Sequence, residues 1–142
     1  MPVPLQAATF EDSAAPGQSL CYVVRMAAAT QPAIESASSN EVCVEVKDVE
    51  APAAPSGVAA LVREGAVELS WSPSSEPNLA VYRVYRARPG AAPERIAEVA
   101  PGESAYRDAA PERGVPFLYT VTAVDGAGNE SPPSAPAEGS LP

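Results

Sequence analysis

The residues able to carry chemistry are few: two cysteines, Cys21 and Cys43, eighteen carboxylates and no histidine. Without histidine the chain cannot build a Ser–His or Cys–His nucleophile pair, and it lacks the side chain most often used to hold catalytic zinc. A thiol pair 22 positions apart has three possible uses: a disulfide, two free thiols, or part of a metal set. The metal set has no third cysteine and no histidine to complete it. No glycine-rich phosphate loop is present. The acids fall mostly in turns or on polar faces, without the paired pattern of a general acid and base. Asp125, Asn129 and Glu130 offer oxygens to a cation, but the cluster is sparse beside a calcium loop, and an Asp-Gly/Gly-Asn turn explains it better. Asn129-Glu130-Ser131 fits the glycosylation pattern, but Pro132 follows directly. These residues predict no enzyme, no metal and no cofactor.

The elements that must position these groups are β-strands. Seventeen prolines in 142 residues argue against long helices. Leu20, Tyr22, Val24 and Met26 alternate with Cys21, Val23 and Arg25, and Val42, Val44 and Val46 alternate with Cys43, Glu45 and Lys47. The same period of two runs through Val67, Leu69 and Trp71 and through Phe117, Tyr119, Val121 and Ala123, the mark of half-buried strands. Turn signals such as Ala15-Pro16-Gly17, Arg88-Pro89-Gly90 and Asp125-Gly126 separate the runs, a spacing typical of an all-β sandwich. The alanine run from position 27 to 29 is soon followed by Pro32 and reads as part of a hairpin.

An internal repeat is present. Phe10-Glu11-Asp12 matches Tyr106-Arg107-Asp108, and Leu20-Cys21-Tyr22-Val23-Val24 matches Phe117-Leu118-Tyr119-Thr120-Val121. Glu35-Ser36 and the residues after it stand where Asn129-Glu130-Ser131 stands in the second copy, with a longer loop in the first. The chain therefore divides into a partial unit over residues 1–48, a proline-stiffened linker over 49–56, and a complete unit over 57–142.

Residues 55–140 resemble a fibronectin type III domain. The likeness is carried by Pro55-Ser56-Gly57-Val58, Val67 to Pro73, Val81 to Arg86, Tyr106-Arg107-Asp108, and Phe117 to Ser131. It implies an immunoglobulin-like sandwich of two antiparallel sheets, A-B-E and C′-C-F-G, around a core of Trp71, Tyr82, Val84, Tyr106, Phe117, Tyr119 and Val121. Residues 3–46 resemble the last three strands, E, F and G, of the same fold. One departure stands out. The strand-F tyrosine that ties many members to their E–F turn is Phe117 here and Leu20 in the partial copy. That tie is expected to be missing and the corner held by packing alone, with the hydroxyls of Tyr22 and Tyr119 reaching the sheet rim or a polar neighbour.

Pairing the two cysteine-bearing runs about a turn near Pro32 sets Cys21 opposite Cys43, Tyr22 opposite Val42 and Leu20 opposite Val44. Directly opposite residues lie close enough for a bridge on the face away from the core; two free thiols remain the alternative. A bridge points to an oxidising compartment, such as a periplasm or cell surface. Met1-Pro2-Val3-Pro4 has neither the cationic start nor the apolar run of an export signal, which is expected upstream.

The net charge of −9 argues against nucleic acid and against an anionic membrane surface, and no apolar stretch is long enough to enter a bilayer. The reading is a non-catalytic spacer joined to other domains of a larger extracytoplasmic protein. The alternatives are a module binding protein or polysaccharide, with Tyr85 the best exposed aromatic, or the accessory domain of a secreted hydrolase. In the partial unit the face of Leu20, Tyr22, Val24, Met26, Val42, Val44 and Val46 lacks an opposing sheet. It is expected to be covered by upstream sequence, by the second unit, or by the same face of a second copy in a two-fold dimer.

Overall fold

The computed structural model describes residues 9–28, 32 and 34–142. The chain divides into two compact units, Met1–Asp48 and Val49–Pro142.

The first unit holds β1 (Ser19–Tyr22), β2 (Ala27–Ala28), β3 (Ile34–Glu35) and β4 (Val42–Glu45). Antiparallel β1 and β4 set Cys21 opposite Cys43, Tyr22 opposite Val42 and Leu20 opposite Val44. The short β2–β3 ladder sets Ala27 opposite Glu35. The run from Leu20 to Met26 is not one strand, since the ladder breaks after Tyr22. Serine oxygens replace backbone carbonyls there: Val24 N–H donates to Ser39 Oγ and Met26 N–H to Ser36 Oγ, both at 2.9 Å. The serine N–H groups return bonds to the Val24 and Met26 carbonyls at 2.8 Å. Each serine thus satisfies both backbone groups of the residue facing it, while the returning chain runs longer than its partner. Phe10-Glu11-Asp12, matched in sequence to a strand of the second unit, joins no ladder. Its counterpart pairs with a neighbour for which the first unit has no equivalent among the described residues.

The second unit holds β5 (Ala59–Arg63), β6 (Ala66–Ser70), β7 (Leu79–Ala87), β8 (Glu94–Val99), β9 (Ala105–Asp108), β10 (Phe117–Asp125) and β11 (Ala137–Gly139). They form one sheet ordered β5-β6-β9 and another ordered β11-β10-β7-β8, the A-B-E and G-F-C-C′ sheets of an immunoglobulin-like sandwich. Val67, Leu69 and Trp71 from one sheet pack in one core with Tyr82, Val84, Phe117, Tyr119 and Val121 from the other, all buried. Trp71 meets the Tyr82 ring edge-on at 5.3 Å between centroids, an arrangement that adds to plain area burial. Tyr106 is half-buried and packs against this cluster from outside.

Residues 49–56, read from sequence as a linker, pack on the second unit instead. Pro52 and Pro55 are buried, the Ala53 N–H reaches Glu76 Oε1, and the Glu50 carbonyl accepts from the Asn129 amide. A proline ring buries well because it has no N–H to satisfy, so a composition that reads as spacer serves here as a wall. Among the described residues no helix is long and apolar enough to cross a membrane.

Candidate functional site

Three groups of polar side chains and one apolar face are the places where either unit could act. The first is the thiol pair. Cys21 and Cys43 form a disulfide between directly opposite residues of β1 and β4, with Cα atoms 4.0 Å apart. Both cysteines are exposed, and Glu41 Oε1 lies 3.8 Å from the Cys43 sulfur. Bridged sulfurs neither attack as nucleophiles nor bind metal as thiolates.

The second is a tyrosine–aspartate pair that occurs in both units. Tyr119 Oη donates to Asp108 Oδ2 at 2.8 Å, and Tyr22 Oη donates to Asp12 Oδ2 at 2.9 Å. In the second unit the aspartate also takes a guanidinium bond from Arg86 Nη1 at 2.9 Å, and Arg86 stacks on the Phe117 ring at 4.7 Å from its centroid. The corner between β9 and β10 is therefore not held by packing alone. The hydroxyl two residues beyond the usual position reaches the end of β9 and restores the tie by another route. Burial and the Asp108 carboxylate push the Tyr119 hydroxyl well above the ordinary tyrosine pKa. The bond to Asp12 raises the Tyr22 hydroxyl as well. A phenol held neutral against a carboxylate is a structural donor here, not an acid poised near neutral pH.

The third group surrounds Glu130, on the outer face of the four-stranded sheet. Tyr85 Oη and Thr122 Oγ1 donate to Glu130 Oε1, at 2.5 and 2.7 Å, and Arg83 Nη1 donates to Oε2 at 2.7 Å. Burial alone would raise the Glu130 carboxyl, but the bonds from Tyr85, Thr122 and Arg83 outweigh it and hold the group below the usual glutamate range. Tyr85, the expected exposed aromatic, is half-buried with its hydroxyl bonded to Glu130. Asp125 closes the following turn: Oδ1 accepts from the Ala127 and Asn129 N–H groups and Oδ2 from the Asn129 amide, so its pKa is lowered, chiefly by Asn129.

The serine pairing of the first unit recurs in the second. Val121 N–H donates to Ser134 Oγ at 3.0 Å and Ala123 N–H to Ser131 Oγ at 2.9 Å, with return bonds from both serine N–H groups. Sequence reading placed both aspartates, Ser36 and Ser131 in the repeat but assigned none of them a bonding role. Their signal was present, as Ser-x-x-Ser after a matched Glu in each copy and an Asp ten or eleven positions before the matched tyrosine.

The apolar face lies in the first unit. Val24, Met26, Val42 and Val44 are 62%, 77%, 54% and 51% exposed, and Leu20, Tyr22 and Val46 are half-buried. Their counterparts Phe117, Tyr119, Val121 and Ala123 are at most 4% exposed.

Comparison with known proteins matches this geometry. The family described as "Fibronectin type III domain SaeA third domain" matches residues 55–141. An amylopullulanase of Thermoanaerobacterium saccharolyticum is 37% identical over 86 residues, covering 60% of this chain and 6% of the enzyme. An exo β-1,2-glucooligosaccharide sophorohydrolase of Parabacteroides distasonis is 33% identical over 106 residues, covering 68% of this chain and 15% of the enzyme. The chain thus matches only a small part of either relative. Among solved structures, a Fn3-like protein from Clostridium thermocellum shares 29% identity with a TM-score of 0.55, covering 66% of this chain and 96% of that one. A β-1,2-glucanase from P. distasonis shares 28% with a TM-score of 0.56, covering 73% and 16%. With its sheet order, its Trp71-centred core and this match over residues 55–141, the chain belongs to the fibronectin type III family.

Proposed function

We propose that this chain is a non-catalytic module of a larger extracytoplasmic protein, one that sets the spacing or position of neighbouring domains. The observation that carries the reading is the mismatch between shared sequence and named activity. The matched region accounts for 6% of an amylopullulanase and 15% of a sophorohydrolase, enzymes named for different glycosidic substrates. A segment common to both is poorly placed to supply either activity. The carboxylates of the second unit favour the same reading, since Asp108, Asp125 and Glu130 all accept bonds from protein donors. The disulfide favours a compartment outside the cytoplasm.

Residues 1–48 are, in this reading, the E-F-G portion of a second module of the same family. The shared tyrosine–aspartate bond and the shared serine pairing support it. The apolar face of this portion is then an interaction surface.

Affinity electrophoresis in gels containing starch, pullulan or β-1,2-glucan, with a parallel assay for reducing ends, tests the proposal. Unretarded migration and no new reducing ends are expected. Retardation would move the chain to the alternative reading, a polysaccharide-binding accessory domain, and released sugar would overturn the non-catalytic reading.

A further inference from the structure

We propose that Cys21, Cys43 and Glu41 form a zinc site once the bridge between the two sulfurs is reduced. Two thiols alone make a poor set for this metal, and the sequence offers no third cysteine and no histidine. The fold brings in a third ligand. Glu41 and Cys43 are two positions apart in an extended run, so their side chains share a face. The β1–β4 register sets Cys21 directly opposite Cys43. The two sulfurs and a Glu41 oxygen all lie within 4.8 Å of one another, with Glu41 Oε1 3.8 Å from the Cys43 sulfur. All three residues are exposed, so a reductant and a hydrated metal ion both have access.

The spacing suits zinc. Tetrahedral ligation with bonds of about 2.3 Å to sulfur holds the ligand atoms about 3.8 Å apart. Directly opposite residues keep their Cβ atoms about 4.5–5.5 Å apart, so the freed sulfurs reach that separation by side-chain rotation, with no slip in register. Two thiolates and a carboxylate leave the fourth position to water. The sulfur pair selects zinc over magnesium or calcium, which take oxygen ligands.

The bridge becomes the site in two steps. A dithiol reductant attacks one bridge sulfur through its thiolate, and the other sulfur leaves as a thiolate. The reductant's second thiol then resolves the mixed disulfide, so two electrons pass to the cysteines and the reductant becomes the disulfide. Zinc next replaces the protons of both thiols, which pass to solvent. The ion thereby takes over as the clip between β1 and β4.

The strand pair itself does not require thiols at this place. In the second unit Leu118 and Glu138 hold the equivalent opposed positions, and that ladder stands without a bridge. The thiols also lie on the face turned away from Leu20, Tyr22, Val42 and Val44. The site therefore needs only the β1–β4 register, and stands whether or not residues 1–48 are part of a module.

The test uses the full-length chain, reduced with a phosphine and kept free of oxygen, then titrated with zinc against a chromophoric chelator. One zinc per reduced chain and none per oxidised chain are expected. Glu41→Gln should weaken uptake about tenfold, while Glu45→Gln, on the same face beyond Cys43, leaves it unchanged. NMR contacts between Leu20 and Val44, lost on reduction, should return when zinc is added. A reduced chain that takes up no zinc overturns the inference, as does uptake indifferent to Glu41→Gln. One zinc shared between two chains, or contacts that stay absent with zinc bound, overturns it too, since either means that the ligands come from an open hairpin.

Discussion

Tyr22 and Tyr119 stand at matching places in the two units and donate the same bond to an aspartate, yet their surroundings differ. Tyr119 is fully buried, with Arg86 behind its aspartate and a second sheet over its ring. Tyr22 is half-buried and, among the described residues, its hydroxyl meets Asp12. The local devices, namely serine pairing, tyrosine–aspartate bond and antiparallel register, recur without the sandwich around them. They are set by nearby residues and by backbone hydrogen bonding. Burial is set by what lies across the core. In the first unit a covalent bridge ties the two ladder strands together.

The two faces also differ in size. Gly139 of β11 lies where an added Cβ would stand 2.7 Å from Val67 and 3.1 Å from the Tyr119 ring. By register its counterpart in β4 is Val44, since Gly139 faces Phe117 and Val44 faces Leu20. The second unit thus thins its last strand to let the opposite sheet approach. The first unit carries valine at that place.

Four experiments would break or sharpen this contrast. The largest effect is expected from reducing the Cys21–Cys43 bridge, which should open the β1–β4 hairpin and withdraw about 3 kcal/mol of chain restriction. Trp71 is the only tryptophan and lies in the second unit. Its fluorescence melt should stay put while the NMR contacts between Leu20 and Val44 disappear; a shifted Trp71 melt would tie the units together energetically. Next comes Gly139→Val, which gives the second unit the first unit's residue. Overpacking against Val67 should lower stability by about 1–3 kcal/mol in urea titrations followed by Trp71, while Val44→Gly leaves that curve unchanged. Equal effects would mean the two faces are alike after all.

Third, Tyr119→Phe should destabilise the second unit by about 1 kcal/mol, because the buried Asp108 carboxylate loses one of its two donors and keeps Arg86. Tyr22→Phe, at an exposed pair, should be near neutral by hydrogen-exchange protection in β1. The smallest effect is in pH. Glu130 and Asp125 have lowered folded-state pKa values, so their contribution is present above the unfolded carboxylate values of about 4 and is lost as pH falls through the lower folded ones. The Trp71 melting temperature should be flat from about pH 7 to 5 and fall below about pH 4. Glu130→Gln should flatten that fall.

Much of this was legible beforehand for a physical reason. Alternation along Val67–Trp71 and Phe117–Ala123 reports which side of a strand is buried, because the side-chain period is two whatever the tertiary partner. The opposition of Cys21 and Cys43 followed from a single register, since one slip would have turned every apolar residue outward. Composition and the missing histidine bounded the chemistry in the same direct way. What only the tertiary structure decided depends on residues far apart in sequence. The pairing of Tyr119 with Asp108, the capture of Tyr85 by Glu130 across 45 positions, and the burial of Pro52, read as part of a linker, are decided by the folded chain. A linear pattern shows that a hydroxyl faces inward. The acceptor it meets is fixed only when the sheets close.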